Sequence, residues 1–192
     1  MFGPRYNHPI LTPAKQATSN TLRTFIIKLS CLTTLVLEIT LRHAKASDNS
    51  ALRTILYNTI EGTWVPHLTA EAAQAYRHVD RPAAYVASRG SEFSVAKHDG
   101  QIVGFVDRDG NFVNALHVHS RWARMGVGNR LMDKVEAEIG SEGFSVSRLE
   151  IDTFNLASQT FDLARGYYKA DRYPDTELKS GFATLLLVKP RR

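Results

Sequence analysis

The sequence predicts an α+β fold with one central, mostly antiparallel sheet flanked by helices, in the order β-α-α-β-β-β-α-β-α-β-β. From Glu92 onward, apolar and polar residues alternate with period two through three runs, which are separated by Asp-Gly pairs at 99–100 and 109–110. Such pairs between alternating runs indicate hairpins. Before and after this stretch, apolar residues recur at helical spacing, which indicates helices on the sheet.

The N-terminal part of this pattern holds one strand and two helices. Residues 38–43 alternate as a half-buried strand does. Asp48 is the expected N-cap of a helix that ends near Ile60. A second helix is predicted from Thr69, as its N-cap, to about Val79.

The C-terminal part holds two helices and six strands. The alternating runs predict three consecutive antiparallel strands, at 93–98, 101–107 and 112–118. An amphipathic helix from about Gly126 to Ile139 follows, because its apolar residues fall on one stripe. The remaining predicted elements are a strand at 147–152, a helix from about Leu156 to Ala164, and strands near 166–173 and 182–188.

Composition and charge exclude several classes of protein. With 43% hydrophobic and 22% charged residues the chain is an ordinary globular one. One cysteine, Cys31, excludes a disulfide framework within the chain and fits a reducing compartment, so we expect a cytoplasmic protein. The net charge is +5, but four bases and no acid lie in residues 1–37. The nearly neutral remainder argues against nucleic-acid binding.

Residues 1–37 are predicted to be a basic, disordered extension without a catalytic role, and residues 38–192 to form the functional domain. The extension is rich in Ser and Thr and ends in an apolar run that Lys28 interrupts. That run is shorter than the roughly 20 residues of a membrane helix, so no membrane partner is expected. The alternatives are an organelle-targeting leader, a secretory signal, a membrane tether, an upstream translated stretch, or an extension of the first strand.

The strongest chemical signal lies where a predicted strand ends at Val118 and Gly126-Val127-Gly128 opens a helix. Glycines let a ligand approach the backbone, and the first N–H groups of a helix lack internal partners and carry about half a positive charge. The pattern predicts a phosphate site, or else only a tight turn. Arginines that would add charge there are Arg121, Arg124 and Arg130. Neither standard nucleotide motif is present.

Several motifs occur in one order along the chain. They are ITLRHAKASD at 39–48, GQIVGFV at 100–106, L-x-V at 116–118 followed by ARMGVG at 123–128, and NLASQTFDLARGYY at 155–168. Together they resemble the GNAT superfamily, the N-acetyltransferases that use acetyl-coenzyme A. The resemblance spans about residues 38–189.

The resemblance implies an enzyme that passes an acetyl group from acetyl-CoA, a co-substrate, directly to a primary amine of a small molecule or peptide. It also implies a slot for the pantetheine arm between the strands at 111–118 and 146–152. A homodimer is compatible with it, and a non-catalytic acyl-CoA-binding or protein-interaction member is the alternative. The implied coenzyme-binding residues are Leu116, His117, Val118, Arg124, Met125, Gly126, Val127, Gly128, Asn129, Asn155 and Phe161.

The sequence departs from the family pattern at two positions that bear on the chemistry. Ala123 stands where the loop usually has Arg or Gln. Asp162 stands where a tyrosine commonly protonates the leaving thiolate, and an ionised aspartate has no proton to give at neutral pH. Tyr167, Tyr168 or water are the alternative proton donors.

The general base is not assigned by the pattern, because Phe112 and Asn114 occupy the positions where relatives often place it. The catalytic candidates are His117, whose ordinary pKa suits the role, and Asp152, with Glu61 as a third. His117 and His119 also have the spacing of metal ligands, but no third ligand is evident and no metal is expected. Aromatic candidates for an acceptor pocket are Trp64, His67, Tyr76, Tyr85 and Trp122.

Overall fold

Seven strands form one sheet in the computed structural model, which describes residues 37–71, 73–74, 80–174 and 182–191. In chain order the strands are β1 (Thr40–His43), β2 (Ser94–His98), β3 (Gln101–Asp109), β4 (Phe112–Val118), β5 (Val146–Asp152), β6 (Tyr168–Pro174) and β7 (Ala183–Pro190). Their spatial order is β1-β2-β3-β4-β5-β7-β6, and every neighbouring pair is antiparallel except β4 and β5. The predicted α+β fold is therefore confirmed.

The four long helices of the described residues are α1 (Asn49–Thr63), α2 (Arg81–Arg89), α3 (Val127–Ser141) and α4 (Leu156–Ala164). Of the helix predicted from Thr69 to Val79, residues 69–71 and 73–74 are described; 70–71 and 73–74 are helical, and Thr69 precedes them as the predicted N-cap would. Residues 1–36 also lie outside the described part, so the predicted extension stays a prediction. No helix of the described residues is long and apolar enough to cross a membrane.

Helix α2 was not predicted, although the sequence carries its signals. The Asp80 carboxylate accepts a hydrogen bond from the Ala83 N–H at 3.0 Å, and Pro82 lies in the first turn. Both are typical of a helix start. Asp48 is at the N-cap position of α1, as predicted, but its side chain bonds no N–H group of the helix. Its carboxylate accepts from Arg42 and from the Lys45 N–H at 2.7 Å, so it stabilises the turn before α1.

Buried side chains cover both faces of the sheet, because successive residues of a strand point to opposite sides. One core packs α3 against the sheet through Leu131, Val135 and Ile139. The other packs α1 and α2 over Phe93 and Phe105, whose rings stack at 4.8 Å. The sheet is thereby fixed between helices.

A β-bulge interrupts the pairing of β3 with β4. Asp107 pairs with Ala115 and Arg108 pairs with Val113, so Asn114 is the extra residue. The parallel pairing of β4 with β5 is confined to Phe112 with Arg148 and Val113 with Leu149, and it stops at this bulge. Because a bulge bends its strand and increases the twist, β4 and β5 separate beyond it. The predicted splaying of these strands is present.

A fully buried carboxylate, that of Asp107, supports the bulge. It accepts hydrogen bonds from the Tyr85 hydroxyl at 2.6 Å and from Arg89 at 2.7 and 2.8 Å. The Asn114 side-chain amide donates to it at 3.2 Å. A buried charge needs such donors to offset its desolvation. The network therefore ties α2 to the bulge residue.

Gly104→Ala is expected to destabilise the protein by about 1–3 kcal/mol, as overpacking of a close contact does. A Cβ at Gly104 would lie 2.9 Å from the backbone oxygen of His117 and 3.1 Å from Val127, and the oxygen cannot move without its strand. The control is Gly62→Ala in α1, where a Cβ would meet no atom within 4 Å. This variant should stabilise the protein by up to about 1 kcal/mol, because alanine favours a helix more than glycine does. Denaturant unfolding measures both, and equal stability of the two variants would contradict the close approach.

Candidate active site

A cavity of about 420 Å³ opens where β4 and β5 separate. Most of the coenzyme-binding residues that the resemblance implied lie along it: Leu116, His117, Val118, Arg124, Gly126, Gly128, Asn129, Asn155 and Phe161. Two of the predicted residues do not line it, since Met125 is exposed and Val127 is buried in the core. Helix α1 completes the wall with Thr59, Ile60, Thr63 and Trp64.

The edge of β4 presents open backbone groups to this cavity. The His119 N–H donates to the Val103 oxygen at 3.0 Å, toward β3. N–H directions alternate along an antiparallel strand, so those of Leu116 and Val118 point to the opposite edge. β5 is not paired with β4 there. The strand can therefore donate to a ligand in the slot.

The loop before α3 has the backbone geometry of an anion cradle. Arg124 and Gly126 have φ of +61° and +85°, and such left-handed residues turn successive N–H groups toward a common concave side. Arg130 makes the first intrahelical bond, to the Gly126 oxygen at 3.1 Å. Within the described residues no backbone bond uses the N–H of residues 127–129. A Cβ at Gly126 would meet no atom within 4 Å, so the cradle has room for a phosphate.

Arg124 lines the cavity beside the cradle, and Arg121 and Arg130 are near it in the sequence. Within the described part of the chain, the guanidinium groups of Arg121, Arg124 and Arg130 form no ion pair. Together with the helix N-terminus they supply the charge that a diphosphate requires. The donors, the open space and the charge thus fit the diphosphate of a coenzyme.

Arg165 holds α4 against the start of α3, a role that the sequence analysis did not find. Its guanidinium donates to the Asn129 oxygen at 3.0 Å and to Asp133 at 2.7 Å, and it pairs with Glu136 at 3.1 Å. The same group lies over the Phe161 ring at 5.8 Å. Because Phe161 and Asn129 both line the cavity, Arg165 fixes two of its walls.

A second cavity of about 530 Å³ shares Ile60, Trp64 and His117 with the first. Its remaining lining residues come from α1, α2, the end of β3 and the middle of β4, and they are Leu56, Arg81, Pro82, Tyr85, Arg89, Asp109, Asn114 and Ala115. His117 therefore lies where the two cavities meet. Two substrates can reach it from different sides.

Two of the predicted pocket aromatics, Trp64 and Tyr85, line the second cavity. His67 instead stacks on Phe154 at 4.6 Å, and Trp122 packs against His98 at 4.8 Å. The fifth predicted aromatic, at position 76, lies outside the described residues.

His117 is held between α1 and the sheet. Its ring packs on Phe105 at 5.1 Å, and its Nδ1 lies 2.7 Å from the Thr59 hydroxyl. Burial lowers the pKa of His117 to about 4, so the near-neutral pKa assumed from the sequence is wrong and the ring is neutral at pH 7. The other candidate bases, Glu61 and Asp152, line neither cavity.

Asp162 is 5% exposed and does not line the cavity. Burial raises its pKa to about 7; Arg165 opposes the shift and Glu136 adds to it. The expectation of a carboxylate fully ionised at neutral pH is therefore wrong. Tyr167 is buried and accepts from the Ser147 hydroxyl at 2.9 Å, whereas Tyr168 is exposed on β6, and neither lines the cavity.

Histidine pairs do not form a metal centre in the described residues, where no group of three His, Cys, Asp or Glu side chains is placed to hold an ion. The Nδ1 of His119 accepts from the Arg121 N–H at 3.2 Å, just after β4. His119 therefore belongs to the turn that leads to the cradle.

A mixed sheet whose parallel strands separate, with unbonded N–H groups at a helix N-terminus beside the opening, fits an acyl-coenzyme A-dependent transferase. The sequence matches the model of the acetyltransferase (GNAT) domain over residues 64–172, which is more than half of the chain. The chain belongs to the GNAT acetyltransferase family. No curated protein sequence matches it significantly.

Solved structures share the fold. A GCN5-related N-acetyltransferase from Rhodopseudomonas palustris is 22% identical with a TM-score of 0.66, over 79% of this chain and 95% of that one. The PaiA N-acetyltransferase from Thermoplasma acidophilum, solved with coenzyme A, is 16% identical with a TM-score of 0.63, over 80% and 99%. A ribosomal-protein-alanine N-acetyltransferase from Brucella melitensis is 21% identical with a TM-score of 0.61, over 79% and 99%.

Asp162→Asn is expected to stabilise the protein increasingly as the pH rises from about 4 to about 7. The folded state binds the Asp162 proton more tightly than the unfolded chain, whose pKa is near 3.8, so ionisation at higher pH costs stability. The gain at pH 8 relative to pH 4 should be on the order of 2–4 kcal/mol. Denaturant unfolding at several pH values measures it. Asp171→Asn, at an exposed position on β6, is the control, and a pH-independent difference for Asp162→Asn would contradict the raised pKa.

Proposed function

We propose that the protein is an acetyl-CoA-dependent N-acetyltransferase that acylates a primary amine of a small molecule or peptide by direct transfer. The observation that carries this proposal is the meeting of two cavities at His117, one with a diphosphate cradle and the other lined largely by α1 and α2. The relative solved with coenzyme A and the relative named for a ribosomal-protein alanine support a coenzyme and an amine, respectively. A cytoplasmic location stays a prediction.

The first cavity takes the coenzyme. The N–H groups of residues 127–129 hold the diphosphate, and Arg124 adds charge. The open edge of β4 at Leu116 and Val118 bonds the pantetheine arm, and Phe161 packs beside it. In this proposal the Val118 N–H donates to the thioester oxygen, where negative charge develops.

The second cavity takes the amine, with its nitrogen beside His117. Acetyl-CoA supplies an activated acetyl group, and attack by the amine on the thioester carbon forms the carbon–nitrogen bond and breaks the carbon–sulfur bond. The amine must react as the free base, because an ammonium has no lone pair. Neutral His117 accepts the proton that the nitrogen loses as its bond to carbon forms, and passes it to water.

The leaving thiolate takes its proton from water in this proposal, because no Tyr, Asp, Glu or Lys occurs among the described lining residues of the first cavity. The same observation favours the second candidate, a non-catalytic acyl-CoA-binding member of the family. Coenzyme binding is common to both functions, whereas release of free thiol in the presence of an amine occurs only in an enzyme.

Gly126→Glu is expected to abolish binding of acetyl-CoA, because it puts a carboxylate into the diphosphate cradle. Its control is Gly143→Glu, which has the same charge change, a similar φ of +87° against +85°, and also no atom within 4 Å of the Cβ. Both variants bear the backbone strain of about 1–2 kcal/mol, but Gly143 follows the far end of α3. Calorimetric titration should show wild-type affinity in the control. Unchanged affinity in Gly126→Glu would rule out the cradle.

His117→Phe is expected to lower kcat by about 100-fold while the affinity for acetyl-CoA stays within about twofold. Phenylalanine keeps the packing on Phe105 and removes only the nitrogens. Because the pKa of His117 is lowered to about 4, wild-type kcat/KM should rise with the deprotonation of the amine and show no inflection from His117 between pH 5 and 8. Thiol release over a panel of amines measures this. An inflection in that range that His117→Phe removes would contradict the assignment.

A further inference from the structure

The Thr59 hydroxyl connects helix α1 to the residue at which the two cavities meet. Its Oγ1 lies 2.7 Å from the Nδ1 of His117, 3.0 Å from the Leu56 oxygen and 3.2 Å from the Ile55 oxygen. Thr59 and His117 both line the coenzyme cavity. The hydroxyl thus has three polar neighbours and only one proton.

Thr59 has one hydroxyl proton for three neighbours, and this determines which group donates in each hydrogen bond. Backbone oxygens only accept, so the hydroxyl proton must point to Leu56 or Ile55 for either contact to be a bond. If the proton pointed to His117 instead, Oγ1 would face two carbonyl oxygens with no hydrogen between them. The arrangement with the most hydrogen bonds has the threonine donating to a helix oxygen and the Nδ1–H of His117 donating to Oγ1.

The other ring nitrogen of His117, Nε2, has no protein partner in the described part of the chain. No buried side-chain nitrogen or oxygen lacks a partner there, so Nε2 must be accessible. The accessible space next to His117 is the two cavities. A neutral imidazole carries one proton, and a proton on Nδ1 leaves the lone pair on Nε2.

We propose that Thr59 is a positioning residue that holds His117 in the Nδ1-protonated tautomer, so that the Nε2 lone pair is directed at the acceptor amine. The proposal rests on the proposed acetyl transfer for the use of this lone pair. During the reaction the amine proton moves to Nε2 and then to water, and the Thr59 proton stays on its own oxygen.

His119 provides an internal reference for the opposite tautomer. Its Nδ1 accepts a hydrogen bond from the Arg121 N–H, so in the neutral form its proton lies on Nε2. Two histidines only two residues apart are thus expected to differ in tautomer. The difference can be measured on the free protein, without any substrate.

The first experiment records long-range proton–nitrogen NMR spectra of the full chain with isotope-labelled histidine near neutral pH. The His117 signals are assigned by their loss in His117→Phe. We expect a protonated Nδ1 and a bare Nε2 for His117, and the reverse for His119. A His117 proton on Nε2 in the wild-type protein would overturn the proposal, whether or not any amine is acetylated.

The second experiment compares substitutions of two threonines in α1. Thr59→Val removes the hydroxyl at nearly constant volume, and Thr59→Ser keeps it. Thr54→Val is the control, because the Thr54 hydroxyl also bonds a helix carbonyl, that of Ser50 at 3.0 Å, but is exposed and bonds no histidine. We expect Thr59→Val to lose the Nδ1-protonated signature and to lower kcat by about 10- to 100-fold with little change in KM for acetyl-CoA.

Thr59→Ser should restore both the tautomer and the rate, and Thr54→Val should match the wild type. Thr59→Val with the wild-type tautomer and rate would overturn the positioning role. Absence of acetyl transfer in the wild-type protein would instead overturn the proposed function, while the wild-type NMR spectrum still decides the tautomer. That spectrum needs no Thr59 variant, so poor folding of Thr59→Val leaves the proposal testable.

Discussion

The parallel pairing of β4 with β5 ends after two residue pairs, and the rest of the site depends on this early separation of the two strands. Beyond it the backbone groups at one edge of β4 lack a neighbouring strand, which is costly unless a ligand or water bonds them. The bulge at Asn114 sets the point of separation. Because the separation is built into the backbone, the slot exists before any ligand binds.

The bulge in turn depends on a buried charge. Asp107 is fully buried, and its carboxylate is bonded by Tyr85, Arg89 and Asn114. Removal of any one donor would leave part of the Asp107 charge without a hydrogen bond. We expect this to lower the free energy of unfolding by about 1–3 kcal/mol or more. Helix α2, which supplies two of the donors, therefore shapes the second cavity and also stabilises the strand that lines the first.

The sequence predicted the elements whose signals are local. Asp99-Gly100 adopts positive φ at both positions, as a two-residue hairpin turn requires, and α4 begins and ends where predicted. The register shift at Asn114 was not predicted, although it leaves a mark in the strand: Val113, Leu116 and Val118 pack against the same core, so the alternation changes phase between 113 and 116. The pKa values of His117 and Asp162 were misjudged for a different reason. Both depend on burial by residues distant in sequence, which spacing along the chain does not reveal.

The pKa values of His117 and Asp162 are shifted in opposite directions, and both shifts affect how the stability of the protein depends on pH. The lowered pKa of His117 makes the folded state bind fewer protons than the unfolded chain between about 4 and 6.5, so this residue alone would make stability rise with pH. Asp162 has the reverse effect over nearly the same interval. The two contributions oppose each other over this interval. The pH dependence of stability that either residue alone would produce is therefore partly hidden by the other.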